Sequence, residues 1–286
     1  MKFISLPKLG LILVFSLLLA ACSSEVDGTE KQAVNLAYVE WETEVASTHV
    51  VGQVLEDLGY NVTLTPLDNG IMWEALANGE VDGMVSAWLP QTHAPQVEKY
   101  QGLIDDLGEN LIGGKIGLVV PSYMDVDSIE DLTDEAGKTI TGIEPGANIT
   151  GTTEKAYEIY PNLEGWTVLS SSSVAMVGAL KQAIENGEEI IVTGWSPHWK
   201  FNAFDLKYLD DPKGMYGTEE YIGTFARNGF KEDNPGAHSV LDNFHWTPED
   251  IESVMMDIME GMDPKEAAKK WIEENEDKVA EWTKEV

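Results

Sequence analysis

The hydrophobic pattern of the chain alternates between strand-like and helix-like segments. Residues 35–39 and 62–67 have the short apolar or alternating runs that are typical of strands. Between them, apolar residues recur at helical spacing over 50–58 and stop at Gly59. Strands that alternate with helices predict parallel strands joined by right-handed crossovers, and therefore an α/β fold.

An internal repeat organises this pattern. Residues 72–90 contain a helical segment, an Asn-Gly stop, a buried strand and the sequence Trp88-Leu89-Pro90. Residues 176–197 repeat the same plan and end in Trp195-Ser196-Pro197. The second copy is three residues longer before its Trp, which is close to one helical turn. The repeat predicts two α/β lobes of similar plan.

The segments around the repeat set the predicted lobe boundaries. Upstream of the second copy, strand, helix and strand are predicted over 139–143, 152–160 and 166–169. Two apolar runs, 117–121 and 221–227, are placed to cross between the lobes. Lobe 1 is therefore predicted to comprise residues 34–117 plus 223–286, and lobe 2 residues 118–222.

Two helices are predicted near the C-terminus from their capping residues. Thr247 is suited to the N-cap of the first helix, with Pro248 at its first position and Asp250 at its third. The pair Asp263-Pro264 marks the start of the second. We expect both helices to pack on lobe 1.

The N-terminus resembles a bacterial export signal. Lys2 and Lys8 precede an apolar run over 9–21, which is short for a bilayer span and suited to a cleaved signal peptide. The run closes with Leu-Ala-Ala-Cys at Cys22, which resembles a lipobox. This resemblance implies a signal peptide over 1–21 and a lipidated Cys22 followed by a polar tether over 22–33. The alternative is an ordinary secreted protein with an incidental cysteine.

Composition narrows the class of partner. The 286 residues carry 18 Lys and Arg against 50 Asp and Glu, and the net charge is -32. Such a chain repels polyanions, so nucleic-acid binding is disfavoured. The acidic residues are dispersed, as on a solvated surface. One cysteine cannot form an intrachain disulfide or a thiolate metal site, and we expect neither a metal nor a cofactor.

Three of the nine tryptophans follow predicted strands. Trp41 comes after strand 35–39, and Trp88 and Trp195 end the two copies of the repeat. In open α/β sheets, ligands bind beyond the carboxyl ends of strands. Several indole faces around a dry cavity attract a quaternary ammonium group, which has no N–H to donate. The pattern therefore predicts an aromatic cage, although each tryptophan taken singly is also compatible with core packing.

The loop over 144–151 is a candidate anion site. Gly146 and Gly151 have the spacing of a nucleotide-binding loop, but Thr152-Thr153 stand where that loop requires Lys and Ser or Thr. Backbone N–H groups at the start of the following helix can instead bind a carboxylate. The alternative is a plain glycine-containing helix entry.

Three segments, 37–41, 86–93 and 193–199, resemble the glycine betaine-binding proteins, which are the substrate-binding subunits of osmoprotectant-uptake ABC transporters. The resemblance extends over nearly the whole mature chain. It implies a two-lobed, periplasmic-binding-protein-like fold of type II with a ligand cleft between the lobes.

The resemblance also implies roles for individual residues. In that family three tryptophans enclose the trimethylammonium group, which implies Trp41, Trp88 and Trp195 here. Two backbone amides bind the carboxylate, which implies Asn148 and Ile149, although related sequences can have Gly where this chain has Asn148. His93 is implied either to contact the carboxylate or to form a wall of the site.

The expected function is capture of glycine betaine, and of proline betaine in addition, for delivery to an ABC permease with its ATPase subunits. The expected location is the outer face of the bacterial cell membrane, with the protein as an anchored monomer. Choline, carnitine and ectoine remain alternative ligands. An enzyme is the competing class, since Gly-Trp-Ser-Pro-His around Ser196 is a near miss to the nucleophile elbow of hydrolases.

Overall fold

The structure is a computed structural model that describes residues 32–286. The predicted signal peptide, Cys22 and most of the tether lie outside the described residues. Within residues 32–286, no helix has the length and apolar character needed to cross a bilayer.

A mixed β-sheet with helices packed against it forms the described part of the chain. The strands are β1 (Ala33–Tyr38), β2 (Asn61–Pro66), β3 (Gly83–Leu89), β4 (Ile104–Pro121), β5 (Thr139–Thr141), β6 (Thr167–Leu169), β7 (Ile191–Ser196), β8 (Leu206–Tyr208) and β9 (Glu220–Arg227). The helices are α1 (Glu42–Asp57), α2 (Asn69–Asn78), α3 (Ala94–Lys99), α4 (Asn148–Glu154), α5 (Ala156–Ile159), α6 (Ser173–Asn186), α7 (Lys200–Ala203), α8 (Phe230–Asp233), α9 (Pro235–Asn243), α10 (Pro248–Met259), α11 (Pro264–Glu274) and α12 (Glu276–Trp282).

The sheet order reproduces the internal repeat. Its strands follow one another as β2-β1-β3-β9-β4-β7-β5-β6, with β8 paired to β4. The triplets β2-β1-β3 and β6-β5-β7 have the same order, and both are parallel. The duplicated plan predicted from the sequence is therefore present as two equivalent parallel strand triplets.

The alternation of strands and helices predicted parallel strands, and the two triplets are parallel, whereas the centre of the sheet is antiparallel. β9 runs antiparallel to both β3 and β4, and β4 runs antiparallel to β7. The two central strands carry the chain between the triplets, and such a connecting strand need not follow the direction of a βαβ unit.

β4 is common to two halves of the sheet. Residues 104–114 pair with β9, and residues 115–119 pair with β7. We call β1, β2, β3, β9 and residues 104–114 the first half, and β5 to β8 with residues 115–121 the second half. The sequence predicted only the end of β4, because register shifts and the positive φ angles of Gly108 and Gly113 interrupt the strand pattern before it.

Glycine stops end the equivalent helices of the repeat. α2 ends at Asn78 and α6 at Asn186, and in each case the following Gly adopts a left-handed conformation, with φ of 73° and 67°. Glycine has no Cβ, so it takes this conformation without steric cost. The predicted helix over 152–160 begins earlier, at Asn148, and is interrupted at Lys155.

The two predicted C-terminal helices are present as α10 and α11. Thr247 and Asp250 form a reciprocal capping box at the start of α10, and Asp263 accepts from the backbone N–H of Lys265 at the start of α11. Both helices contact α1, as expected. Three of the other tryptophans form an aromatic cluster in the hydrophobic core of this region. Trp246 and Trp282 pack on Phe244, and Trp271 packs on both of these tryptophans.

Candidate functional site

One cavity collects most of the residues that the sequence singled out. It lies where the two halves of the sheet meet, and we call it the aromatic cavity. Its walls combine large aromatic faces with a short polar segment from each half. Its lining residues are Trp41, Trp88, Thr92, Ile116, Ile143, Ala147, Asn148, Ile149 and Trp195.

Trp41 enters the aromatic cavity from the end of β1. It is the N-cap residue of α1, with an extended backbone at φ -93° and ψ 147°. Its side chain is 7% exposed. The indole Nε1–H donates to a carboxylate oxygen of Glu144, which belongs to the loop before α4. This hydrogen bond fixes the indole plane and places a carboxylate beside the ring.

Trp88 and Trp195 lie near the ends of their strands, inside them rather than after them. β3 extends to Leu89 and β7 to Ser196, so each tryptophan is the penultimate strand residue. Their side chains are 4% and 5% exposed. The X-Pro bond that follows each of them is cis. The repeat thus presents equivalent indoles from two strands that belong to different halves of the sheet.

His93 supports the aromatic cavity from behind and does not line it. Its Nδ1 accepts from the backbone N–H of Trp88 at 3.0 Å, and its ring stacks on Trp41 with centroids 6.3 Å apart. It also packs on Trp73 in a T-shaped arrangement, with centroids 5.5 Å apart. Complete burial lowers the pKa of His93 to about 3, so the imidazole is neutral. The resemblance implied that His93 contacts the carboxylate or forms a wall of the site; in the structure it lies behind the indoles and is not among the lining residues.

Asn148 is the first residue of α4, and its side chain bridges the two halves of the sheet. Its Nδ2 donates to the backbone carbonyl of Thr92 and to Oε1 of Gln96. Its Oδ1 accepts from Gln96 and from Asn69. Both donors and both acceptor positions of the amide are therefore used. Because Asn148 is helical, it needs none of the freedom that Gly would bring.

The start of α4 also provides backbone donors. Asn148 and Ile149 are its first two residues, and the first N–H groups of a helix have no partner within the helix. Both residues line the aromatic cavity together with the three tryptophans. This arrangement combines apolar indole faces with N–H groups suited to an anion.

A buried carboxyl lies under the first half of the site. Oε2 of Glu44 accepts from the backbone N–H of Val39 at 2.9 Å, and its other oxygen has no partner in residues 32–286. Burial raises the pKa of Glu44 to about 8, and the nearby Glu144 acts in the same direction. The group is thus held protonated over much of the neutral range.

Ser196 is not arranged as a nucleophile. Its hydroxyl oxygen accepts from the phenol of Tyr208 at 3.0 Å. Nδ1 of His198 accepts from the backbone N–H of Lys200, and its Nε2 lies 3.5 Å from Oε2 of Glu42. The two candidate partners of a Ser-His pair are therefore engaged elsewhere. Within the described residues, no group of three His, Cys, Asp or Glu side chains is arranged to hold a metal ion.

Several residues of the site carry no signal of their own in the sequence, although Thr92 and Ala147 lie within segments that the sequence singled out. Thr92, Ile116, Ile143 and Ala147 line the aromatic cavity with side chains of ordinary core or loop character. Gln96 and Asn69 enter only through their hydrogen bonds to Asn148. Their spacing along the chain has no period, so only the fold brings them together.

Residues 32–274 match a family model described as the substrate binding domain of ABC-type glycine betaine transport systems. The chain is also 50% identical over 158 residues to the glycine betaine/carnitine transport binding protein GbuC of Listeria monocytogenes. That alignment covers 55% of this chain and 53% of the relative, so the match spans about half of the relative's length.

Two solved structures have the same fold. Lactococcal OpuAC, in its closed-liganded conformation complexed with glycine betaine, is 52% identical with a TM-score of 0.86, over 88% of this chain and 100% of that chain. The glycine/betaine/L-proline-binding protein ProX from Borrelia burgdorferi is 34% identical with a TM-score of 0.85, over 89% of this chain and 97% of that chain.

Proposed function

The chain belongs to the family of substrate-binding domains of ABC-type glycine betaine transport systems, and from this premise we propose that it captures glycine betaine outside the cytoplasm for an ABC importer. The observation that carries the proposal is the aromatic cavity, in which three buried indoles stand beside the first N–H groups of α4. These two features match the two ends of a betaine.

The trimethylammonium group binds between Trp41, Trp88 and Trp195. All three side chains are less than a tenth exposed, so the cation is desolvated against their faces. A desolvated cation–π contact is worth up to about 2 kcal/mol. The carboxylate of Glu144, hydrogen-bonded to Trp41, adds a negative charge near the cation. Proline betaine carries a quaternary, dimethylated ring nitrogen in place of the trimethylammonium group and is a second ligand of the site.

The carboxylate of the ligand accepts from the backbone N–H groups of Asn148 and Ile149. A hydrogen bond to a charged group contributes roughly 1.5–3 kcal/mol. The side chain of Asn148 is already satisfied by the first half of the sheet, so only its backbone is free for the ligand. His93 acts as a positioning residue, since it holds Trp41 and Trp88 from behind.

The two halves of the sheet correspond to two lobes that close on the ligand. The proposed boundaries remain those from the sequence, residues 34–117 plus 223–286 for lobe 1 and 118–222 for lobe 2. They fall three residues beyond the change of pairing partner in β4 and three residues after the start of β9. The hydrogen bonds of Asn148 join the lobes in the closed form. The permease, with its ATPase subunits, then recognises this form, which ligand binding favours.

Export and anchoring depend on the N-terminus. The proposed order is cleavage before Cys22, lipid attachment to its sulfur, and retention of a monomer on the outer face of the cell membrane. Cys22→Ser is expected to release the protein into the medium or the periplasm. Retention of that variant in the membrane fraction would contradict the anchor.

Calorimetric titration of the purified protein with glycine betaine, proline betaine, choline, carnitine, proline and ectoine tests the ligand. We expect micromolar binding of glycine betaine that is lost in Trp88→Ala. Trp166→Ala is the matched control, because Trp166 is half-buried and lies outside the aromatic cavity. A preference for choline, which has no carboxylate, would contradict the role of Asn148 and Ile149.

An enzymatic function receives a separate test. The chain belongs to a family of transport proteins. The Ser196 hydroxyl is hydrogen-bonded to Tyr208 rather than to a base. We expect no hydrolysis of a generic ester. Ester hydrolysis that is abolished by Ser196→Ala would contradict this expectation.

A further inference from the structure

A buried lysine lies against one wall of the aromatic cavity. Lys200 is the first residue of α7, and its side chain is 0% exposed. Its Nζ is 4.2 Å from the centroid of the Trp195 ring and donates to the Trp195 carbonyl at 3.2 Å. Its ammonium group thus lies over the Trp195 ring, and Lys200 is not among the residues that enclose the aromatic cavity.

The charges around this ammonium group do not neutralise it by direct contact. Glu42, at the start of α1, is the nearest electrostatic partner. Its carboxylate accepts from Ser173 at 2.6 Å and lies 3.5 Å from His198. No carboxylate oxygen in residues 32–286 is within 4.0 Å of Nζ. The Phe201 ring is a second aromatic neighbour of Nζ, with its centroid 5.4 Å away.

We propose that Lys200 tunes the affinity of the aromatic cavity: its ammonium charge behind Trp195 weakens the attraction for a quaternary ammonium and makes the affinity depend on pH. The inference rests on the proposed function, because it requires Trp195 to contact the cationic end of the ligand.

The physical reason is that two cations on one indole each weaken the attraction that the ring exerts on the other. Lys200 makes a cation–π contact with one face of Trp195, and the ligand approaches the other face to within about 6 Å of the ring. Two unit charges about 10 Å apart, at an effective permittivity of about 20, repel by an amount that corresponds to roughly tenfold in affinity. Neutralising Lys200 removes this repulsion and leaves the ring in place.

The burial of Lys200 places its titration near neutrality. Burial lowers the pKa of Lys200 to about 7, and the charge of Glu42 opposes this shift only in part. A bound cation disfavours the ammonium form further, so binding releases a proton. Affinity for glycine betaine is therefore expected to rise with pH through neutrality.

The titratable groups near Lys200 do not change their charge in the same pH range, with one exception. Burial opposes ionisation of Glu42, but hydrogen bonds from His198 and Ser173 lower its pKa to about 2. Burial and the charge of Lys200 lower the pKa of His198 to about 4. Neither group changes charge around neutrality. The exception is Glu44 on the far side of the site, with its pKa raised to about 8.

The test measures the dissociation constant of glycine betaine for the full protein and three variants at two pH values. Lys200 is mainly charged at about pH 6 and mainly neutral at about pH 8.5. Lys200→Met keeps an unbranched side chain without charge and is expected to bind roughly tenfold tighter at the lower pH. The difference from wild type should shrink at the higher pH. Glu44→Gln should retain the pH dependence that Lys200→Met loses.

Lys115→Met is the matched control. Lys115 also lies over an aromatic ring, 4.3 Å from the centroid of Tyr208, but it is exposed and that ring does not line the aromatic cavity. Its affinity should equal that of wild type at both pH values. A further measurement needs no variant: the binding enthalpy at neutral pH in two buffers of different ionisation enthalpy reports proton release directly.

Equal affinities of wild type and Lys200→Met at the lower pH, or weaker binding by the variant, would overturn the proposal. Absence of proton release from the wild type would also overturn it. If the wild type binds no glycine betaine at either pH, the proposed function fails instead, and the two failures are thereby distinguished.

Discussion

Asn148 and Gln96 hold each other through a reciprocal pair of amide hydrogen bonds. Nε2 of Gln96 donates to Oδ1 of Asn148 at 2.8 Å, and Nδ2 of Asn148 donates to Oε1 of Gln96 at 3.0 Å. Asn148 belongs to α4, which packs on the second half of the sheet, and Gln96 belongs to α3, which follows β3 of the first half. The pair therefore links the two halves beside the aromatic cavity.

Asn148→Ala is expected to weaken binding of glycine betaine although the backbone N–H of residue 148 remains. The substitution removes the bonds to Thr92, Gln96 and Asn69 that join the halves. At roughly 1 kcal/mol per net hydrogen bond, a loss of tenfold or more in affinity follows. Calorimetry gives the dissociation constant, and stopped-flow tryptophan fluorescence should show that most of the loss is faster dissociation.

A double-mutant cycle that combines Asn148→Ala with Gln96→Ala measures the interaction energy between the two amides. The two substitutions together should cost less than the sum of their separate effects, because each removes the same bonds. Asn162→Ala is the control, since Asn162 bonds only to Ile129 and Leu132 carbonyls away from the site. Additive effects would show that the two amides do not act through one another.

Glu144→Gln is expected to lower the affinity for glycine betaine by about fivefold. Glutamine still accepts from the Trp41 indole N–H, so the ring stays in place and only the negative charge beside the cation is lost. The effect should diminish as salt is added, because part of it is electrostatic. Titrations at low and high ionic strength measure both points, and Glu154→Gln, an exposed acid in α4, is the control.

Glu44 is expected to make the protein less stable as the pH rises. Its pKa is about 8 when folded, against 4.5 for the ordinary carboxyl. Between these values the folded protein retains a proton that the unfolded chain has released. The stability that this proton contributes is present below the lower pKa and is lost as the pH rises toward the higher one, with a slope of up to about 1.4 kcal/mol per pH unit.

Glu44→Gln should remove this component. The difference in free energy of unfolding between wild type and Glu44→Gln, measured in urea, should shift against wild type as the pH rises from about 5 to about 7. The buried histidines His93 and His198, whose lowered pKa values give a slope of the opposite sign in this range, contribute equally to both proteins and cancel in the difference. The range stops near neutrality because Lys200, with its lowered pKa, contributes a slope of the opposite sign above it. Parallel curves for the two proteins would mean that the Glu44 carboxyl ionises normally in the folded state.

Thr247→Ala is expected to destabilise the protein by about 1 kcal/mol, because it deletes the hydroxyl that caps α10. The midpoint of thermal unfolding should fall by roughly 2–4 °C for a chain of this size. Thr247→Ser keeps the hydroxyl and should remain close to wild type. Affinity for glycine betaine should stay unchanged in both. Equal losses in the two variants would assign the effect to the methyl group instead.

The sequence by itself determined the local elements and the aromatic part of the site. Helix stops at Gly79 and Gly187 and the capping box at Thr247 depend on neighbouring residues only, so they can be read from the chain. The repeat predicted equivalent positions for Trp88 and Trp195, and both indoles do line one cavity. Short-range chemistry and periodicity suffice for such features.

Only the tertiary structure decided how the two halves meet. The sequence pattern did not predict the full length of β4 or its antiparallel pairing. Pairing between distant segments, rather than local periodicity, defines these features. The same holds for His93 behind the indoles, for the amides around Asn148 and for the ammonium of Lys200 on Trp195. These contacts join residues from separate elements, and burial then sets their charge, which no stretch of sequence specifies alone.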